Sequence, residues 1–132
     1  MRLSSNPEAP RQERAERLRR DRAAARALRV AFPALQQLRL ELNFEGPASN
    51  VPTSQSHVLH PAARAFFVFP CPYADCDGGF DLTTPVKTAL ADASGKTRGV
   101  LECFGHRSLQ YSSRGPCKLY LNYAISAMYQ SV

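Results

Sequence analysis

Four cysteines constrain the fold of this 132-residue chain more than any other feature. Cys71 and Cys76 stand in the short segment CPYADC, whereas Cys103 and Cys117 stand much further along the chain. The first 30 residues contain no apolar signal-peptide core, and no stretch approaches the roughly 20 apolar residues that span a bilayer. We therefore expect a cytoplasmic protein, in which thiols stay reduced and four cysteines favour metal binding over disulfides.

Alternation of apolar and polar residues predicts the strands around these cysteines. Over residues 38–44, leucine and phenylalanine alternate with charged and polar side chains, which indicates a half-buried strand. Further strands are predicted within residues 57–70 (clearest at 65–69), over residues 97–104 and over residues 119–129. Strands that follow one another in pairs with short connections favour antiparallel pairing, so we expect an antiparallel sheet of about four strands.

Two helices complete the predicted α+β fold. Residues 11–32 are rich in arginine and alanine, which are strong helix formers, and no glycine or proline interrupts them before Pro33. A second, short helix is predicted to begin at Pro85, after an N-cap at Thr84, and to stop near Gly95.

The predicted strand ends bring the four cysteines together. Cys103 ends the third strand and Cys117 opens the fourth, so the two lie side by side if these strands form a hairpin. The proline-containing turn between Cys71 and Cys76 places both of their sulfurs on one side. Zn²⁺ binds four thiolates at about 2.3 Å, so we predict one structural zinc ion held by all four. Four thiolates leave no coordination position open, which argues against a catalytic metal.

The fourth ligand has an alternative. His106 follows Cys103 by three residues, and a site that uses it would have a more regular ligand spacing. We prefer Cys117, because its position at the start of one strand mirrors that of Cys103 at the end of another.

Residues 66–125 resemble the zinc ribbons, in which cysteine-bearing turns from two β-hairpins hold one ion. The resemblance rests on Cys71 and Cys76 with the flanking Pro72 and Gly78. The second cysteine pair is spaced more widely than the close C-x-x-C pair of a ribbon. The resemblance implies a small zinc-binding domain of the kind that contacts nucleic acid or the ribosome.

The predicted organisation therefore has three regions. Residues 1–10 are a flexible N-terminus, and residues 11–32 are the arginine-rich helix. Residues 36–132 form a β-rich domain, stapled by zinc at the strand ends, that contains the sheet and the short helix.

The basic charge of the chain bears on its partners. Lysine and arginine number 17 against 11 acidic residues, which gives a net charge of +6 and a pI near 9.5. On the predicted N-terminal helix, a continuous stripe of arginines suits phosphate groups: Arg19, Arg22, Arg26 and Arg29. Together with the resemblance, this charge predicts a zinc-stabilised binding module for RNA, the ribosome or the transcription machinery.

Two alternative functions stay open. The first is a protein–protein adaptor or homo-oligomer with structural zinc, whose N-terminal helix self-associates through Leu18, Ala25 and Leu28. The second is an enzyme of unknown class. The sequence contains no nucleophile-elbow, P-loop or zinc-protease motif, so we expect no catalysis, and no small-molecule substrate is evident.

Overall fold

The computed structural model of this chain describes residues 9–46, 54–73, 76–107 and 115–129. Its helices in chain order are α1 (Ala9–Ala24), α2 (Leu28–Ala31) and α3 (Thr83–Ala91). Its strands are β1 (Leu35–Glu45), β2 (Ser54–Leu59), β3 (Val68–Pro70), β4 (Gly79–Asp81), β5 (Lys96–Glu102), β6 (His106–Arg107), β7 (Gly115–Pro116) and β8 (Tyr120–Tyr129). The predicted α+β class is confirmed, with an N-terminal helix, an antiparallel sheet, a short helix and a cysteine cluster.

A four-stranded antiparallel sheet with the order β2-β1-β8-β5 forms the main core. The apolar residues Leu38, Leu40, Leu42 and Phe44 of β1 alternate with polar ones and are buried on one face, and Leu35, which precedes an irregularity in the pairing at Leu35–Gln37, is buried as well. Leu121 and Ile125 of β8 lie opposite two of them and are also buried. The helix α3 packs against β5 and β8 and buries Val86 and Ala89. Removal of this apolar surface from water is the main force that stabilises the sheet.

The second strand of the sheet lies earlier than the sequence pattern predicts. The prediction placed it within residues 57–70, most clearly at 65–69, whereas β2 occupies Ser54–Leu59 and pairs with β1, so the two ranges share only residues 57–59. Of the predicted segment, Val68 and Phe69 belong to β3, which forms a separate hairpin with β4. The aromatic run packs into the core from a largely irregular segment, with Phe67 and Phe69 buried. Its apolar pattern therefore reflects burial and not a place in the main sheet.

The continuous helix predicted over residues 11–32 is interrupted between α1 and α2. Ala27 is extended (φ −64°, ψ 150°) and forms a β-bridge with Arg64. The amide of Leu28 donates to the carbonyl of Ala63 at 2.7 Å. These backbone groups are satisfied by a distant segment of chain and not by the next helical turn. Helix propensity is a weak preference, and tertiary hydrogen bonds override it here.

The short helix α3 begins slightly before its predicted start. Leu82 and not Thr84 is the N-cap, and the Oδ1 of Asp81 accepts a hydrogen bond from the amide of Thr83 at 2.9 Å. The capping oxygen thus comes from the end of the preceding strand. The helix ends at Ala91, before the predicted stop near Gly95, and Gly95, whose φ of +68° favours glycine, lies in the turn that leads to β5.

The predicted flexible N-terminus over residues 1–10 lies mostly outside the described residues, which begin at Ala9. It stays a prediction, as do the region boundaries 11–32 and 36–132. None of the helices in the described part of the chain combines the length and the apolar character that are needed to cross a membrane.

Candidate metal centre

The four cysteines lie at strand ends, as the sequence predicts. Cys71 follows β3 and Cys76 precedes β4, so both stand in the turn of one hairpin. Cys103 follows β5 and Cys117 stands between β7 and β8, on facing chains of the second hairpin. The two hairpins bring the four sulfurs within 4.8 Å of one another.

The distances between the sulfurs fit one shared ion better than covalent pairs. The Sγ atoms of Cys71 and Cys117 are 3.8 Å apart, and those of Cys76 and Cys103 are 3.5 Å apart. A disulfide requires about 2.05 Å, and all four residues are free thiols. A tetrahedron of sulfurs with Zn–S bonds of about 2.3 Å has an edge of about 3.8 Å. The cluster therefore has the size of a tetrahedral metal site, and all four cysteines are buried.

Backbone hydrogen bonds shape the turn that carries the first cysteine pair. The amide of Cys71 donates to the carbonyl of Gly78 at 3.1 Å, and the amide of Cys76 donates to the carbonyl of Tyr73 at 3.3 Å. The amide of Gly78 points at the Cys76 sulfur, 3.3 Å away. An N–H directed at sulfur stabilises the thiolate form, which is the form that binds metal.

The second cysteine pair is held by the ladder between β5 and β8. The amide of Cys103 donates to the carbonyl of Leu119 at 3.0 Å, and the amide of Cys117 donates to the carbonyl of Gly105 at 3.0 Å. These bonds extend the antiparallel pairing past the last residue of β5 and ahead of the first residue of β8. The two cysteines consequently face the same side, which is the arrangement that a hairpin predicts.

The two cysteine hairpins meet backbone to backbone. A Cβ placed on Gly78 would collide with the backbone of Gly105, and a Cβ on Gly105 would collide with that of Gly78. The amide of Phe104 also donates to the carbonyl of Gly79 at 3.2 Å. Glycine is required at both contact positions because any side chain would push the hairpins, and with them the sulfur pairs, apart.

Arg14 is the residue of this centre that the sequence reasoning missed. Its side chain is 4% exposed, and its Nη1 donates to the carbonyls of Cys76 and Gly78 at 2.6 and 2.8 Å. Its Nη2 reaches the carbonyl of Cys71 at 3.4 Å. One guanidinium on α1 thus donates hydrogen bonds to three backbone carbonyls of the turn that carries Cys71 and Cys76. It also places a positive charge beside a cluster that becomes negative when the thiols ionise.

A signal for Arg14 was present in the sequence. It stands four residues before Leu18, on the side of the helix where the apolar stripe predicts contact with the domain. A cation on an inward face needs a buried acceptor, and here backbone carbonyls supply it. Their location could not be deduced, because these acceptors lie 57 to 64 residues further along the chain.

The ionisation of the thiols is strongly coupled. Hydrogen bonds from the Cys103 and Cys71 thiols hold the pKa of Cys76 well below its usual range. The pKa of Cys71 is raised, because its thiol is engaged with the sulfurs of Cys103 and Cys76 and is buried. Burial also raises the pKa of Cys117. Several thiolates at this distance repel one another, so a central cation is what allows all four to ionise together.

His106, the alternative ligand, lies in β6, and its side chain is outside the described part of the structure. The four-sulfur cluster already contains enough donors for a tetrahedral site.

The four arginines predicted to contact nucleic acid are all exposed: Arg19, Arg22, Arg26 and Arg29. They do not form one helical stripe, because the break between α1 and α2 separates the first two from Arg29. The guanidinium of Arg22 lies 5.1 Å from the centre of the Phe66 ring, in a cation–π contact.

The apolar stripe predicted for self-association is not fully available. Leu28 is buried in the core of its own chain, while Leu18 and Ala25 are half-buried. A helix pair between two copies would thus lack the third contact residue that the sequence suggested.

Comparison with protein-family models, with curated proteins and with solved structures gives no match to this chain. A function for this chain must therefore be inferred from the cysteine cluster and not from likeness to another protein.

Proposed function

We propose that the chain is a zinc-stapled binding module, in which Cys71, Cys76, Cys103 and Cys117 hold one structural Zn²⁺ ion. The observation that carries this proposal is four buried sulfurs within 4.8 Å of one another. Two cysteine pairs, each held by a hairpin, also match the plan of a zinc ribbon, although the second pair spans two strands. Thiolate ligands at tetrahedral spacing favour zinc over the harder ions Mg²⁺ and Ca²⁺.

A zinc ion in this position would be structural. All of its coordination positions would be taken by sulfur, which leaves none for water or a substrate. The ion would fix the two hairpins relative to each other at the end of the sheet. Its binding free energy would then add directly to the stability of the folded chain.

Native mass spectrometry of the protein as purified, before and after denaturation, tests the metal. We expect one zinc ion per folded chain and loss of the ion on unfolding. The variant Cys76→Ser should lose the ion. A folded protein that contains no metal, or one with bound iron and visible charge-transfer absorption, would contradict the zinc assignment.

We further propose that the module binds RNA through its basic N-terminal surface. Arg19, Arg26 and Arg29 are exposed on either side of or within the break between α1 and α2, the fourth predicted arginine, Arg22, is exposed but stacks on Phe66, and the whole protein carries a net charge of +6. Guanidinium groups bind phosphate bidentately, and cationic contacts of this kind give an affinity that depends on salt. The ribosome and the transcription machinery both contain RNA whose phosphate groups such a surface could contact.

A charge-matched pair of triple variants tests RNA binding. The first variant replaces Arg19, Arg26 and Arg29 with glutamine. The control replaces Arg39, Lys96 and Arg98 with glutamine, three exposed cations on β1 and β5. Fluorescence anisotropy with a mixed-sequence single-stranded RNA should show weaker binding for the first variant. Its slope of log affinity against log salt should fall by about 2. Equal losses of RNA affinity in both variants would mean that only the net charge matters, and would contradict a defined RNA-binding surface.

A further inference from the structure

A cavity of about 670 Å³ lies between α1, β2 and the segment from Ala63 to Pro72. Arginines and apolar side chains make up most of its described wall, and Cys71 is the one cysteine of the cluster that lines it. Its volume falls within the range of roughly 300–1,000 Å³ that is typical of small-molecule sites.

The charged groups around this cavity are all of one sign. Its described lining contains three arginines and one histidine but no aspartate or glutamate. Arg14 is turned toward the backbone carbonyls of the cysteine turn, whereas Arg22 and Arg64 are exposed at the rim. Arg64 donates through Nη1 to the carbonyl of Ala25 at 2.9 Å. A guanidinium has five N–H donors, so this bond leaves Arg64 with further capacity for an anion.

The cavity wall between these cations is apolar and aromatic. Leu59 and Phe66 line it, and the ring of His57 packs against that of Phe69 with centroids 4.8 Å apart. The pKa of His57 is lowered by burial and, secondarily, by the charge of Arg22. Both effects disfavour the protonated form of the imidazole on this wall.

We propose that this cavity binds a small organic anion, in which a phosphate or carboxylate group lies between Arg22 and Arg64 and an apolar or aromatic body packs against Leu59 and Phe66. The charge complementarity selects the anionic group, and the apolar wall selects the body attached to it. Such a ligand goes beyond the proposed zinc and RNA functions, since it uses neither the cysteines nor the arginines tested above.

Titrations of the full-length, zinc-loaded protein followed by ¹H–¹⁵N NMR test this proposal. Phenyl phosphate and phenylacetate present the two head groups on an aromatic body. Inorganic phosphate supplies the head group alone, and benzyl alcohol supplies the body without charge. We expect saturable shifts at residues 57–66 with at least one aryl anion, and affinity at least about tenfold weaker for phosphate or benzyl alcohol. The aryl anion that binds more tightly identifies the preferred head group.

The double variant Arg22→Gln and Arg64→Gln should weaken aryl anion binding by about tenfold or more. The control Arg39→Gln and Arg98→Gln removes the same charge from the other face of the sheet and should leave binding unchanged. If the first variant does not fold, intermolecular NOEs between the phenyl protons and Phe66 in the unmodified protein decide the question. No binding of either aryl anion, inorganic phosphate binding as tightly, shifts confined to other regions, or equal losses in both double variants would each overturn the proposal.

Discussion

The sheet and the cysteine centre are two ends of one small molecule, and they are stabilised by different forces. At the sheet, Leu38, Leu40 and Leu42 are fully buried, and their contribution comes from apolar surface removed from water. The cysteine centre belongs to the same buried cluster, but it adds polar contacts, sulfur to sulfur and guanidinium to carbonyl, and a close approach of two glycine backbones. The first kind of stabilisation is spread over many side chains, whereas the second depends on a few atoms and, in our proposal, on one ion.

The two regions should therefore respond differently to substitution. A truncated side chain in the sheet costs the transfer free energy of the atoms removed and a further amount for the cavity left behind, while the rest of the sheet stays in place. A metal site behaves as a unit, because removal of any ligand or of the ion disables the rest.

Removal of zinc should have the largest effect. Structural zinc in small peptides contributes on the order of 10 kcal/mol to folding, more than any single side chain of the sheet. A chelator, or Cys76→Ser, should therefore abolish the protection of the hydrogen-bonded amides at residues 71, 76, 78, 103 and 104 in hydrogen-exchange measurements. The central amides of β1 and β8 should stay slower to exchange. Zinc added back should restore protection in the unmodified protein but not in the variant; unchanged exchange at the cysteine turn would refute the metal's role.

Truncation of a core leucine should come second. Leu40→Ala removes a fully buried side chain at the centre of the sheet and should lower the free energy of unfolding by about 3 kcal/mol in urea denaturation. Val58 lies on the neighbouring strand and is 40% exposed. The control Val58→Ala should therefore lower the free energy of unfolding by less than about 1 kcal/mol. Similar losses for both would mean that the sheet is not the tightly packed end.

Loss of Arg14 tests the link between the two ends. Arg14→Ala should destabilise the protein by about 2 kcal/mol, because buried carbonyls of the cysteine turn lose their charged donor. It should also lower the affinity of the protein for zinc, measured by competition with a chelator. Arg14→Lys should recover only part of the loss, since one ammonium cannot copy the planar fork that reaches three carbonyls. Arg20→Ala, exposed on the same helix, should change neither quantity.

The turn between α3 and β5 should give the smallest effect. Gly95 has a φ of +68°, so Gly95→Ala should cost about 1 kcal/mol in thermal or urea unfolding. Gly95→Asn should cost less, because asparagine tolerates the left-handed conformation better than alanine. Zinc affinity should be the same in both variants, since this turn lies on the sheet side; a coupled loss of zinc would show that the two ends are not independent.

The sequence predicted the sheet wherever its own pattern was strong. The alternation from Leu38 to Phe44 located β1, and residues 119–129 located β8 almost to its ends. It did not locate β2, because the edge strand SQSHVL is mostly polar and its inward residues are only half-buried. The segment around Phe66 and Phe69 has a stronger apolar pattern than β2. That pattern reflects burial, since most of this segment is not a strand.

Parts of the cysteine end were predictable for a different reason. The placement of Cys103 and Cys117 at strand ends follows from the pattern of two strands and the assumption that they pair. The acceptors of Arg14 and the break before Leu28 were not predictable, because both depend on partners more than thirty residues away. Local periodicity carries no information about which distant carbonyl a side chain or an amide will meet.

The contact between Gly78 and Gly105 restricts how sequences of this kind can vary. In an ordinary core, a larger residue at one position can be accommodated by a smaller one opposite. Here neither partner can become smaller, so a change at one position has no compensating change at the other. Each glycine stands two residues after a cysteine of the cluster, and this paired spacing is a pattern by which distant homologues could be recognised.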